Sequence, residues 1–148
     1  MVRQASQDFL WIADNGSKTR RTPDGVYARD AVPSRAAVAM YSLDGDEVLR
    51  LPKPDLEIYT TERYSPTQVA VDEERFGGSG DIWVTDGYGQ MVVHCFDRNG
   101  AYRFTIDGAA GAGTFSEPHS VFIDRRAGSP ELYVADRGNR RIQAFAPE

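Results

Sequence analysis

Three short runs in the chain share one pattern of apolar and polar positions. They are Leu10-Trp11-Ile12-Ala13-Asp14, Ile82-Trp83-Val84-Thr85-Asp86 and Leu132-Tyr133-Val134-Ala135-Asp136, each reading aliphatic, aromatic, β-branched, small, aspartate. Runs rich in β-branched and aromatic residues suit a strand buried on both faces. The closing aspartate suits a turn, where its carboxylate accepts bonds from nearby backbone N–H groups.

A second set of columns follows each run. Val38-Ala39-Met40-Tyr41, Val93-His94-Cys95-Phe96 and Ile142-Gln143-Ala144-Phe145 keep large residues at their ends. The first two lead into Asp44-Gly45 and Asn99-Gly100, strong hairpin signals because both residue types tolerate positive φ. A further strand is predicted at Val48-Leu49-Arg50-Leu51 and Arg103-Phe104-Thr105-Ile106. Another precedes the first run in two copies, Pro66 to Asp72 and Pro118 to Asp124. Four short strands recurring about every 50 residues, with turn residues between, predict the blades of a β-propeller.

No segment shows sustained helical periodicity. The expected layout is one propeller segment over residues 1–148, with blades at about 8–54, 64–108 and 115–146. The first blade carries an insertion over 15–37, rich in Gly and Pro, which reads as an irregular loop; Gly108 to Gly113 reads as a flexible linker. On this layout the chain opens at the second strand of one blade and stops after the third strand of another. That makes about ten strands, short of the four to eight complete blades of a closed ring. An open ring exposes sheet edges and apolar blade flanks, so a homo-dimer or larger self-assembly, or derivation from a longer parent, is expected.

Charge and composition narrow the partners. The 148 residues carry a formal net charge of −5, which argues against a non-specific nucleic-acid or acidic-membrane surface; Lys18, Arg20 and Arg21 form only a local basic cluster, most simply part of a solvated loop. No apolar stretch approaches the ~18 residues of a membrane span, and residues Met1 to Asp8 lack the apolar core of a secretory signal. Cys95 is the single cysteine, so no internal disulfide forms and the compartment stays open: cytoplasmic as the chain stands, secreted or periplasmic for a longer parent.

The run Leu132 to Phe145, with Ala135-Asp136-Arg137-Gly138-Asn139-Arg140-Arg141-Ile142 at its centre, resembles the NHL repeat signature. The resemblance implies an all-β fold: part of an NHL-type propeller of the six-bladed family, about three blades of four-stranded antiparallel sheets. Within that group, Ser65 to Phe145 is most similar to the peptidyl-α-hydroxyglycine amidating lyases. The likeness is carried by Pro66-Thr67-Gln68-Val69-Ala70-Val71, Val84-Thr85-Asp86-Gly87-Tyr88-Gly89 and Phe115-Ser116-Glu117-Pro118-His119-Ser120. Those enzymes cleave a C–N bond to release an amidated peptide and glyoxylate. The resemblance implies zinc held by three histidines from alternate blades, a tyrosine base, and arginines on the substrate. Residue by residue, His119 stands at a zinc ligand, Tyr88 at the base and Arg137 at one of the arginines, while Thr67 stands where the family has no ligand. The departures are two: the chain has only two histidines, and Gly89 stands where many relatives have cysteine.

The remaining candidates read as structure. Asp14, Asp86 and Asp136 recur in every blade, which marks a structural aspartate rather than a carboxylate cluster. Trp11, Trp83 and Tyr133 read as inter-blade core, Cys95 as a buried small residue, and His94 as an exposed strand residue. The expected function is a lyase-like propeller, incomplete as an enzyme within this chain, with a peptide or small-molecule ligand. The alternative is a non-catalytic binding module. A calcium-dependent hydrolase of the gluconolactonase type is a third reading, with no ligand set assigned.

Overall fold

The computed structural model describes residues 2–4, 7–16, 19–29, 35–126 and 128–147. Lys18 and Pro33 of the insertion lie outside the described residues. The first sheet is built from β1 (Val2–Gln4) and β2 (Gln7–Asp14). After a separate ribbon of β3 (Thr19–Arg21) and β4 (Tyr27–Arg29), it continues through β5 (Ala37–Ser42) and β6 (Glu47–Leu51). The second runs β7 (Gln68–Val71), β8 (Ile82–Asp86), β9 (Val92–Phe96), β10 (Tyr102–Ile106). The third runs β11 (Pro118–Asp124), β12 (Glu131–Asp136), β13 (Arg141–Phe145). Every neighbouring pair within these sheets is antiparallel, and all but β2 and β5, which the β3–β4 ribbon separates, are consecutive in the chain, the meander of a propeller blade.

Three details differ from the sequence expectation. The first sheet begins at Val2, not at its second strand, although β1 pairs only with Gln7, Asp8 and Phe9. The insertion is not wholly irregular. Thr22-Pro23-Asp24-Gly25 turns β3 into β4, with Gly25 N–H donating to Thr22 O and the Thr22 hydroxyl to Val26 O at 2.7 Å. The Asp44-Gly45 and Asn99-Gly100 hairpins do form, but only their glycines take positive φ (95° and 84°). Each is a three-residue loop with its glycine left-handed, rather than a two-residue primed turn.

The period-two alternation of each strand divides its apolar residues between two neighbours. Between the first and second blades, Trp11, Ala13 and Val38 meet Ile82, Val84 and Phe96. Between the second and third, Trp83, Val93 and Cys95 meet Leu132, Val134 and Phe145. Trp83 is 1% exposed and sets its ring edge-on to Phe104, with centroids 5.6 Å apart. All of β8 and β9 is therefore buried, whereas β2 and β12 each keep one face partly open. Burial on both faces, expected for all three aliphatic-aromatic runs, belongs to the blade that has a neighbour on each side.

The aspartates of the second and third blades tie each of those blades to the linker that precedes it. Asp86 Oδ1 accepts the Ser65 N–H at 2.6 Å, and Asp136 Oδ1 accepts the Ser116 N–H at 2.7 Å. Asp14 accepts from Gly16 N at 2.9 Å. Burial holds the Asp86 carboxyl above its ordinary range despite bonds from Tyr59, Gln90 and Ser65. At Asp136 burial pushes the same way but loses to Ser116, Asn139, Arg141 and Gln143, and the carboxyl stays below its ordinary range. The Gly108–Gly113 linker is also held rather than free: Gln143 Oε1 accepts from Ala112 N at 2.7 Å, and its Nε2 donates to Gly113 O at 2.8 Å.

Candidate functional site

Tyr88 lies on the turn between β8 and β9, where two close approaches demand glycine. A side-chain carbon on Gly87 would run into the Pro118 carbonyl of the next blade, and one on Gly89 would strike the Asp86 carboxylate. The glycine that stands in place of the relatives' cysteine is thus a packing requirement of this blade. With no bulk in the way, the Tyr88 ring reaches across to the third blade, and it is 39% exposed.

His119 is presented by a β-bulge. Pro118 pairs with Asp136 and Ser120 with Ala135, so His119 is the extra residue, displaced from the ladder. Its Nε2 lies 3.0 Å from the Tyr88 hydroxyl, and the two rings meet edge to face with centroids 5.4 Å apart. Arg137, on the turn between β12 and β13, donates from Nη1 to the Tyr88 oxygen at 3.1 Å and places its guanidinium 5.7 Å from the ring centroid. Its other terminal nitrogen pairs with Glu117 at 3.2 Å. The structure therefore brings together all three sequence candidates, from two blades. With Arg137 donating to the Tyr88 oxygen, the phenol proton is directed to His119 Nε2, which places the imidazole proton on Nδ1; this tautomer is assigned from the network.

The cluster stands between two recesses. One, about 510 Å³, is lined by Tyr88 and His119 with Ile12, Asn15 and Thr67. The other, about 550 Å³, lies between His119 and Arg137, with Ser120 and Ala135. Thr67, in the column of His119, does not point a donor into the site: its hydroxyl bonds the Thr85 hydroxyl at 2.8 Å and the Pro118 carbonyl at 3.1 Å. Glu117 was not singled out from the sequence. Its one signal is its place between Ser116 and Pro118; in the structure its backbone takes a φ of 48° and its carboxylate meets Arg137.

His94 is not the exposed strand residue that the sequence suggested. It is 0% exposed and fully bonded: Nε2 lies 2.7 Å from the Tyr59 hydroxyl and Nδ1 2.7 Å from the Thr105 hydroxyl. Tyr59 donates onward to Asp86 at 2.5 Å, and Tyr102 lies 2.8 Å from Thr105. The proton count closes with a neutral imidazole: Tyr102 to Thr105 to Nδ1 on one side, Nε2 to Tyr59 to Asp86 on the other. Its column mate Gln143 does the same for the next linker, so the column faces the inter-blade connection, not solvent. Cys95 is fully buried, and burial pushes its thiol up to about 12, which suits a packing residue.

These residues do not by themselves make a zinc site. Zinc takes three or four protein ligands. Among the described residues no three of His, Cys, Asp and Glu converge, and the one histidine in the cluster has its Nε2 engaged by Tyr88. Asp86 and Asp136 direct their oxygens to backbone and side-chain donors of their own blades.

The chain is 29% identical over 145 residues to human NHL repeat-containing protein 3, an alignment that covers 94% of this chain and 35% of that protein. It is 36% identical over 88 residues to peptidyl-glycine alpha-amidating monooxygenase A of Xenopus laevis, covering 56% of this chain and 9% of that one. The chain thus spans about a third of the first relative and less than a tenth of the second. No family model matches. Among the described residues no helix is long and apolar enough to cross a membrane. One strand repeat builds three adjacent blades of a partial β-propeller, and along nearly its whole length the chain is similar to an NHL repeat protein.

Proposed function

We propose that the Tyr88–His119–Arg137 cluster binds a ligand that ends in a carboxylate, a peptide C-terminus or a small acid. The propeller resembles the amidating lyases but does not complete their metal site within these residues. The observation that carries this reading is convergence: Arg137 of the third blade and Tyr88 of the second share a hydrogen bond, and His119 closes on the same phenol oxygen. A ligand carboxylate that displaced Glu117 from Arg137 would gain a bidentate partner. The exposed Arg137–Glu117 pair it replaces is worth less than about 1 kcal/mol. The partial similarity to a protein named for amidating peptidyl-glycine supports a C-terminal glycine as the ligand class.

An N-acylglycine and the matching amide, titrated by calorimetry, test the proposal. The acid is expected to bind at least about tenfold more tightly than the amide, and Arg137→Gln to abolish that difference. Equal affinities, or a preference that survives Arg137→Gln, would overturn it. Metal analysis separates the two functional classes. A metal-free protein that binds the acid favours a binding module; bound zinc that is lost in His119→Ala favours the lyase.

A further inference from the structure

The loop into the third blade is one residue longer than the loop into the second. Ser65 and Ser116 hold the same place in each. Both donate their N–H to the aspartate of their blade, Asp86 or Asp136, and both offer their carbonyl to the turn that follows, at Tyr88 N–H or Gly138 N–H. Pro66 follows Ser65 directly, whereas Glu117 stands between Ser116 and Pro118. Glu117 is thus an inserted residue. A residue before proline is ordinarily extended, yet Glu117 takes a left-handed φ of 48°. In a residue other than glycine that conformation is strained, and it persists only where the surroundings hold it.

What holds it is Arg137. The Arg137 N–H donates to the Glu117 carbonyl at 3.3 Å, and the guanidinium pairs with the Glu117 carboxylate. Glu117 also lines a recess of about 450 Å³, together with Tyr88, Arg63 and Met91. A ligand carboxylate that takes Arg137 must therefore do so beside the carboxylate of Glu117. The backbone bond to Arg137 keeps Glu117 there even when its side chain is displaced. Two carboxylates side by side repel unless a donor stands between them. Arg63 is already engaged, donating from Nη2 to the Ser65 hydroxyl at 2.8 Å. The donor nearest to hand is the ligand's own.

On the carboxylate reading of this cluster, on which the inference rests, we propose that Glu117 is a specificity-determining residue. It selects ligands that carry an N–H on the carbon next to the carboxylate, as the last residue of a peptide does. Arg137 takes the carboxylate, and the displaced Glu117 accepts the N–H. A charge-assisted bond of this kind separates a ligand that has the donor from one that lacks it.

N-acetylglycine and acetoxyacetate differ only in the N–H that the ester replaces with oxygen. Calorimetric titration of the full chain is expected to show N-acetylglycine binding at least about tenfold more tightly. Glu117→Ala frees Arg137, so both acids are expected to tighten, while their ratio falls to within about threefold. Glu117→Gln keeps an acceptor oxygen without the charge, and its ratio lies between the two. Equal affinities for the two acids in the unaltered protein overturn the proposal, as does a ratio that Glu117→Ala leaves unchanged. N-acetylglycinamide tells the two levels apart. An acid that binds no better than its amide removes the carboxylate reading and this inference with it; an acid preferred over its amide but matched by the ester removes this inference alone.

Discussion

Burial pushes the imidazole of His94 down to about 4 from its ordinary 6.5, so the folded protein holds it uncharged at neutral pH. The unfolded chain takes up that proton near pH 6.5 and the folded chain only near 4. The stabilisation is therefore complete above pH 6.5, falls on acidification through that window, and amounts to on the order of 3 kcal/mol. His94→Gln, which copies the residue of the same column in the third blade, should flatten this part of the urea-derived stability profile. An unchanged acid slope would remove the histidine from the account. A second residue-scale expectation concerns Gly87. Gly87→Ala forces the Pro118 carbonyl away and should lower stability by about 1–3 kcal/mol in thermal or chemical unfolding. Little of this was legible beforehand. A histidine aligned with Ala39 and Gln143 looks like a surface substitution until the linker is seen folded over the column. The bulge that displaces His119 leaves no mark in the residue pattern. By contrast, the pairing of Tyr88 with Arg137 and His119 involves the same three positions that resemblance had picked out.

The blades themselves were plain in the sequence because a two-residue period, repeated in three aligned copies, admits one kind of element. What escaped were elements too short to show a period: β1 and the β3–β4 ribbon are three residues per strand. Thr22-Pro23-Asp24-Gly25 was the available signal for the ribbon. The tether between linker and blade was also hidden, because its acceptor is a side chain while its donors are backbone groups of any residue. Its weight is testable at Asp136, which is 0% exposed and holds Ser116, Asn139, Arg141 and Gln143. Asp136→Ala leaves Arg141 without its carboxylate and should cost about 3 kcal/mol of stability. Hydrogen exchange should show the 108–114 amides losing protection in that variant; a loss spread evenly over all three sheets would argue against a local tether.

Across the molecule, burial is graded by the number of blades packed on each side. Every residue of β8 and β9 is buried, and β13 alternates exposed with buried. Exchange from the folded state should thus be slowest in β8 and β9 and faster in β2 and β13. Equal protection in all three blades would argue against this grading. The direction of the linker tethers has one more consequence. Tyr59 and Ser65 are fastened to Asp86 of the blade that follows them, and Ala112 and Ser116 to Gln143 and Asp136 of theirs. The self-contained structural unit therefore begins at the linker, at Pro52 or Asp107, and ends with the outermost strand. Duplication or grafting of residues 52–106 carries an intact fastening with it, whereas a cut at Ser65 severs one unit from its own clasp.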